Sequence, residues 1–299
     1  MNKHILFVHI PKTAGTSFRI AGREYFSKKN TFLDYGKNSG ETSEVILDFF
    51  YEKDDLYQLS KALHNRERSF LSGHFHVSKY MHIYDAQNTI TFVREPIEQV
   101  LSHYKHHVRD LNYQDTIETF IKEKRFKNIQ SRMLGAKPLA LYGFIGLTEE
   151  YAKSIELIND HCGTSFQVYT ANTSASLGSA EIELDEETIA LIKKENKLDI
   201  EMYEKAKLIF ANRRKKFEEK KRYVNIVIEE QTDKSVRGYA YTKDTNEPVK
   251  IDIYSNNKII DTIQAKIFKG GLLRHNIPRK GFVGFEYVSE NTISWKIRD

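Results

Sequence analysis

The residues with the most chemical potential stand together near the start of the chain, in His9-Ile10-Pro11-Lys12-Thr13-Ala14-Gly15-Thr16-Ser17-Phe18. The segment follows a short apolar run and leads into a helical pattern, so it reads as strand, loop, helix. Such a loop presents backbone N–H groups and the positive end of a helix dipole, which together cradle an anion. The stretch Pro11, Lys12, Thr13, Ala14, Gly15, Thr16 and Ser17 is therefore expected to hold a phosphate-like group. Gly15 permits close backbone approach, Thr16 and Ser17 add hydroxyl donors, and Lys12 adds a mobile point charge. An ATP or GTP loop uses the same physics but requires G-x-x-x-x-G-K-[ST]. With Lys12 as its lysine, the glycines would fall on Leu6 and Pro11, so that pattern fails twice. The dinucleotide pattern G-x-G-x-x-G is absent as well. A plain turn capped by Thr or Ser explains Gly15 and Thr16 and leaves Lys12 without a role.

A second constellation is FVREPIEQVLSHYKH, residues 92–106, with Arg94 at the end of an apolar run and Ser102 on the helix that Pro96 opens. A guanidinium fork plus a hydroxyl suits a phosphate dianion, although an Arg at a strand end also serves in ordinary surface ion pairs. A third is LSGHFHVSKY, residues 71–80, where His74 follows Gly73 at a strand end. Sheets with helices on both faces bind ligands at that edge, and an imidazole there can take a proton near neutral pH. His76 and His82 lie close by, and a hydrogen-bonded structural role for His74 stays open. The clusters His74/His76 and His103/His106/His107 lack an accompanying Cys or carboxylate at ligand spacing, so no metal is expected.

The segment FVHIPKTAGTSF resembles the 5′-phosphosulfate loop of sulfotransferases, particularly carbohydrate sulfotransferases that include heparan sulfate 2-O-sulfotransferase and bacterial relatives. The resemblance implies 3′-phosphoadenosine 5′-phosphosulfate (PAPS) as co-substrate, 3′-phosphoadenosine 5′-phosphate as product, and no metal. It implies Lys12 on the sulfate and its bridging oxygen, with Thr13, Gly15, Thr16 and Ser17 on the 5′-phosphate. It implies Arg94 and Ser102 on the 3′-phosphate, and His74 as catalytic base. The similarity continues through NIQSRMLG (128–135), GLTEEYAKSIELI (146–158) and NKLDIEMYEKAKLIF (196–210), so it covers about 4–217. Within it, His76 and Arg132 are candidate substrate or donor contacts, and a structural helix role for Arg132 is equally open.

These residues need a frame to position them. Apolar runs at 5–10, 69–71 and 89–93 predict buried parallel strands, with 142–147 as another strand or its approach. Helical patterns cover 44–50, 56–64, 114–124, 149–161 and 186–221. Strands alternating with helices predict an α/β, P-loop-like three-layer sandwich around a parallel sheet. Near Tyr223 the pattern changes to short alternating segments at 223–228, 249–254, 258–263 and 282–287, with tight turns at Asn256-Asn257 and Gly270-Gly271. The expected organisation is a sulfotransferase domain over 1–220 and a small all-β accessory domain over 223–299, the latter resembling β-sandwich modules on bacterial glycan-modifying transferases. Its aromatics Tyr239, Tyr241, Phe282, Phe285, Tyr287 and Trp295 read as core, with sugar stacking as the alternative. The run Arg213-Arg214-Lys215-Lys216 reads as a solvated helix end, although such a run also suits a polyanion.

Composition sets outer bounds. With 299 residues, 40% hydrophobic and 29% charged, the chain has the material of an ordinary globule. A net charge of +5 favours an anionic ligand and is too diffuse to indicate nucleic acid. The single Cys162 excludes an intrachain disulfide, and neither a signal-peptide pattern nor a membrane-length apolar stretch is visible, so a soluble cytoplasmic protein is expected. The leading expectation is transfer of a sulfuryl group to a carbohydrate hydroxyl, on a bacterial surface glycan or its precursor. A non-catalytic glycan-binding or scaffold protein and a P-loop phosphotransferase are the alternatives, and a small alcohol or phenol acceptor stays open. The oligomeric state is not legible.

Overall fold

The computed structural model describes residues 4–169, 184–243 and 245–298. They form two compact units, the first comprising 1–84, 88–137 and 144–210 and the second 85–87, 138–143 and 211–299.

The first unit is built on a parallel five-stranded sheet of order β2-β3-β1-β4-β5. The central strand β1 (His4–Val8) is followed by α1 (Gly15–Phe26). Next come β2 (Thr31–Asp34), a short α2 (Glu44–Ile46) running into a wide-pitch π turn over Leu47–Glu52, and α3 (Leu56–His64). β3 (Ser69–Gly73) and α4 (Met81–Tyr84) lead to β4 (Thr89–Val93) and α5 (Pro96–Asp110). After α6 (Ile117–Lys122) and α7 (Ile129–Leu134), β5 (Phe144–Leu147) closes the sheet and α8 (Tyr151–Cys162) follows it. Strands β3, β4 and β5 are buried at every position, which is why they read as continuous apolar runs and not as alternating ones.

In this unit two expectations need correction. Strand β2 was not among the predicted strands, because Thr31-Phe32-Leu33-Asp34 is too short and polar-flanked for its pattern to stand out. The continuous helix expected over 186–221 is two, α9 (Glu186–Glu195) and α10 (Lys197–Glu218). Asn128 explains the break: its amide donates to the Glu195 carbonyl at 3.0 Å, and its Oδ1 accepts from the N–H of Leu198 at 3.0 Å. A side chain inserted between two helix ends satisfies backbone groups that a continuous helix would pair internally.

The second unit holds two antiparallel sheets. One has the order β10-β11-β7-β6 and the other β12-β8-β9. The strands are β6 (Asn225–Gln231), β7 (Ser235–Tyr241), β8 (Lys250–Ser255), β9 (Lys258–Gln264), β10 (Ile267–Phe268), β11 (Phe282–Val288) and β12 (Ser294–Ile297). Val236, Ala240, Ile251, Ile253 and Phe285 from both sheets share one core, the arrangement of a β-sandwich. Asn256 and Asn257 both take positive φ, 49° and 61°, and turn β8 into β9. Gly270-Gly271 does not form the expected tight turn. It opens a 3-10 stretch over Gly270–His275, and the loop closes where the N–H of Lys269 meets the Gly281 carbonyl at 2.8 Å.

Tyr239, Tyr241 and Phe285 are buried, as expected of core aromatics, whereas Phe282 is half exposed. Arg213 departs from the solvated helix end: it is buried, lies 4.2 Å from the Tyr223 ring centre and donates to Asn225 Oδ1 at 3.3 Å. Its neighbour Arg214 does form an exposed pair with Glu218, at 2.9 Å. Among the described residues no helix is long and apolar enough to cross a membrane.

Candidate active site

Parallel register sets the C-terminal ends of the central strands side by side: Val8 faces Gly73, and Gly73 faces Asp34. Residues immediately beyond those ends therefore converge. The N–H of His9 donates to the Gly73 carbonyl at 3.0 Å, and the N–H of His74 donates to the Asp34 carbonyl at 3.1 Å. A Cβ on Gly73 would lie 1.8 Å from that Asp34 carbonyl oxygen, so only glycine lets the two strands approach here.

The loop after β1 has the form expected of an anion cradle. Lys12 and Ala14 both take left-handed φ, 64° and 63°, and Ala14 caps α1 without any side-chain hydrogen bond. A helix start without a capping side chain can direct its first backbone N–H groups toward an anion. The Thr13 hydroxyl is committed to the loop itself, donating to the Ile10 carbonyl at 2.9 Å, so its backbone is what it can offer a ligand. Thr16 is exposed and Ser17 buried on the first turn. Gly15 packs under the His9 ring, where an added Cβ would come within 1.9 Å of the ring carbon Cδ2.

The β4–α5 segment is stitched to this loop. Gln99 donates to the Pro11 carbonyl at 3.0 Å, and Arg94 Nη1 lies 3.4 Å from the Lys12 carbonyl oxygen. Arg94 also reaches Glu98 at 3.2 Å, and its backbone is held by Gln130, whose side chain both accepts from the Arg94 N–H and donates to its carbonyl at 2.9 Å. Ser102 lies further along α5, half buried. Burial lowers the Lys12 pKa, as do the Arg109 and Arg94 guanidinium groups, while Asp110 opposes them.

His74 is exposed, with its ring packed against two others. Its ring is 4.4 Å from that of His9 and edge-on to Tyr35 at 4.8 Å. Its Nδ1 sits 2.5 Å from the His9 carbonyl oxygen. Desolvation lowers its pKa; the bond to the His9 carbonyl opposes this, Arg19 and His106 add to it, and Glu41 opposes it. His76 is arranged differently, with Nδ1 accepting from the Ser78 N–H at 3.2 Å and meeting the Ser78 hydroxyl at 2.6 Å.

The family model described as the sulfotransferase family matches residues 1–206. The chain belongs to the sulfotransferase family. No curated protein matches it. Among solved structures it is similar to a sulfotransferase from Alicyclobacillus acidocaldarius, at 15% identity and a TM-score of 0.34, over 65% of this chain and 91% of that one. It is also similar to mouse sulfotransferase SULT7A1 complexed with PAP, at 12% identity and a TM-score of 0.33, over 65% of this chain and 64% of that one.

Several residues of this sulfotransferase that hold the site together carry no motif of their own. Asp34 is buried and accepts from Lys79 at 2.6 Å, Tyr80 at 2.7 Å, Tyr51 at 2.9 Å and the Gly36 N–H at 3.1 Å. Burial raises its pKa, but the bonds from Lys79, Tyr80 and Gly36 outweigh that and hold the carboxyl below its ordinary value. Tyr35 meets His9 Nδ1 at 2.8 Å and lies under Arg19, which pairs with Glu41 at 2.7 Å. His106, on α5, pairs with Asp110 at 2.6 Å. Arg132 is spent on the α6–α7 connection, donating to the carbonyls of Lys124, Lys127 and Arg125 at 2.8, 3.2 and 3.4 Å. Among the described residues no group of three or more His, Cys, Asp or Glu is placed to hold a metal ion.

Proposed function

We propose that this sulfotransferase moves the sulfuryl group of PAPS to a carbohydrate hydroxyl, with His74 as general base and Lys12 as the cation on the leaving group. The observation that carries the reading is the 2.5 Å contact between His74 Nδ1 and the His9 carbonyl oxygen. A carbonyl only accepts, so Nδ1 carries the proton and the Nε2 lone pair remains for a substrate hydroxyl. At His76 the Nδ1 accepts from a backbone N–H, so in its neutral form that ring carries its proton on Nε2. That difference favours His74 over His76 as base.

The acceptor oxygen attacks sulfur while His74 Nε2 takes its proton, and the bond between sulfur and the bridging phosphate oxygen breaks. Charge then grows on the departing 3′-phosphoadenosine 5′-phosphate, and Lys12 with the α1 N-terminus neutralises it. The loop Pro11 to Ser17 is assigned to the 5′-phosphate, and Arg94 with Ser102 to the 3′-phosphate. The exposed pair between Arg94 and Glu98 is weak and yields to a phosphate dianion. No metal is assigned a part in this step.

The chemistry is placed in residues 1–220 and the accessory role in 223–299. The acceptor is proposed to be a bacterial surface glycan or its precursor, and a chain whose one cysteine, Cys162, is buried suits a reducing cytoplasm. The test is a melting assay in EDTA with 3′-phosphoadenosine 5′-phosphate. A ligand selective for the folded state adds about 2.7 kcal/mol at one hundred times its Kd. A clear rise in melting temperature is expected. No rise with it, alongside a rise with Mg-ATP, would replace this reading with phosphoryl transfer.

A further inference from the structure

The C-terminal β unit carries an apolar surface that its own core does not use. Along β11, Val283 and Phe285 point inward and are buried, while Phe282 points outward and stays 48% exposed. Its partner across the ladder is Phe268 on the edge strand β10, itself 49% exposed, and the two rings lie 4.9 Å apart. Leu273, 53% exposed, joins them at Gly281, where an added Cβ would lie 3.5 Å from Phe268 and 3.8 Å from Leu273. Ile267 is exposed beside them. Scattered apolar residues on a surface are ordinary; a contiguous pair of phenyl rings with an exposed leucine nearby marks a contact surface.

The charge around it is one-sided. From 262 to 285 the chain holds Lys266, Lys269, Arg274, Arg279 and Lys280 and not one Asp or Glu. Two of these build the tip: Lys269 pairs with Glu229 at 2.5 Å, and Arg279 donates to the Phe282 and Asn246 carbonyls. Lys266, Arg274 and Lys280 are exposed, and none has a carboxylate partner among the described residues.

We propose that this tip is a docking surface for an anionic lipid bilayer, with Phe268, Phe282 and Leu273 entering the interface and Lys266, Arg274 and Lys280 meeting the headgroups. An apolar centre rimmed by unpaired cations matches such a surface in both of its properties. Leucine and isoleucine offer a sugar neither a stacking face nor a hydrogen bond, and phenyl rings lack the polar handle of Tyr or Trp. A second copy packed on the same patch about a two-fold axis would set the cations against one another. The inference does not depend on the acceptor or on His74.

The test is co-sedimentation of the full chain with vesicles of phosphatidylcholine, and of phosphatidylcholine mixed with phosphatidylglycerol, at low and high KCl. Binding is expected to the mixed vesicles only and to fall with salt. Lys266→Glu/Arg274→Glu/Lys280→Glu should weaken it by about 100-fold or more. Phe268→Ser/Phe282→Ser should weaken it by about tenfold or more, and Lys234→Glu, an exposed control on the same unit, should leave it unchanged. If the Phe variant proves unfolded by circular dichroism, the charge variant and the salt dependence carry the test alone. Absence of binding to mixed vesicles at low salt would overturn the proposal, as would variants that bind like the parent. A Phe variant that only converts a dimer to a monomer, or retention on an anionic polysaccharide without vesicle binding, would overturn it equally.

Discussion

The imidazole of His74 hydrogen-bonds through Nδ1 to the carbonyl of His9, 65 residues earlier in the chain. The same two residues are bound into the sheet edge by backbone contacts, His9 to Gly73 and His74 to Asp34. The tautomer and the direction of one ring thus follow from how β1, β2 and β3 pair.

His74→Gln should leave affinity for 3′-phosphoadenosine 5′-phosphate nearly intact while turnover falls by about 10²–10⁴-fold, the usual contribution of a positioned base. The parent rate should fall at acid pH, because the protonated ring cannot accept. Desolvation and neighbouring cations lower the His74 pKa below 6.5, so the acid limb should lie below that value. Steady-state kinetics across pH check this. A His74→Gln enzyme with near-normal turnover and the limb in place would move the base elsewhere, with His76 tested next.

Arg94→Ala should weaken donor binding more than Ser102→Ala, since it removes a charge-assisted fork and not a neutral hydroxyl. Titration calorimetry with the desulfated donor and with an analogue lacking the 3′-phosphate separates the possibilities. Equal losses for both ligands would contradict the assignment to the 3′-phosphate.

Gly15→Ala should impair donor binding and turnover together. Its Cβ would meet His9 at 1.9 Å, and His9 cannot yield freely while its backbone holds both Gly73 and His74. Measured kcat and KM should both worsen, whereas Gly40→Ala, at a position with open space, should change neither.

Asp34→Ala leaves the half-buried Lys79 and three further donors without their buried acceptor, and should destabilise the first unit by about 3–5 kcal/mol in chemical denaturation. The folded pKa of Asp34 lies below the 3.8 of a free side chain. Its contribution is therefore complete above that value and disappears as pH falls through the folded value. In Asp34→Ala the acid sensitivity of stability should diminish correspondingly. A variant as stable as the parent would show that Lys79 finds another partner.

Features set by short-range geometry were legible in the residues alone. The apolar run into Pro11 and Gly15 specified strand, loop and helix, and Pro96 after 89–93 specified the start of α5, because backbone preferences act within a few residues. Asn256-Asn257 specified a hairpin for the same reason, both residues tolerating positive φ. Lys12, Arg94 and His74 were visible through their places at strand ends. What surrounds those places depended on which distant segments pack together. β2 carries too little pattern to be seen, yet its Asp34 and the adjoining Tyr35 border His74 once β2 pairs with β3. Arg132 reads equally as a ligand contact and as a structural residue and donates to three carbonyls, while Phe282 reads as core and faces outward because Val283 and Phe285 take the inner positions of its strand. A hydrogen bond to a carbonyl 65 residues away, or the side of a strand that finds the core, depends on which segments meet, and no local preference encodes that.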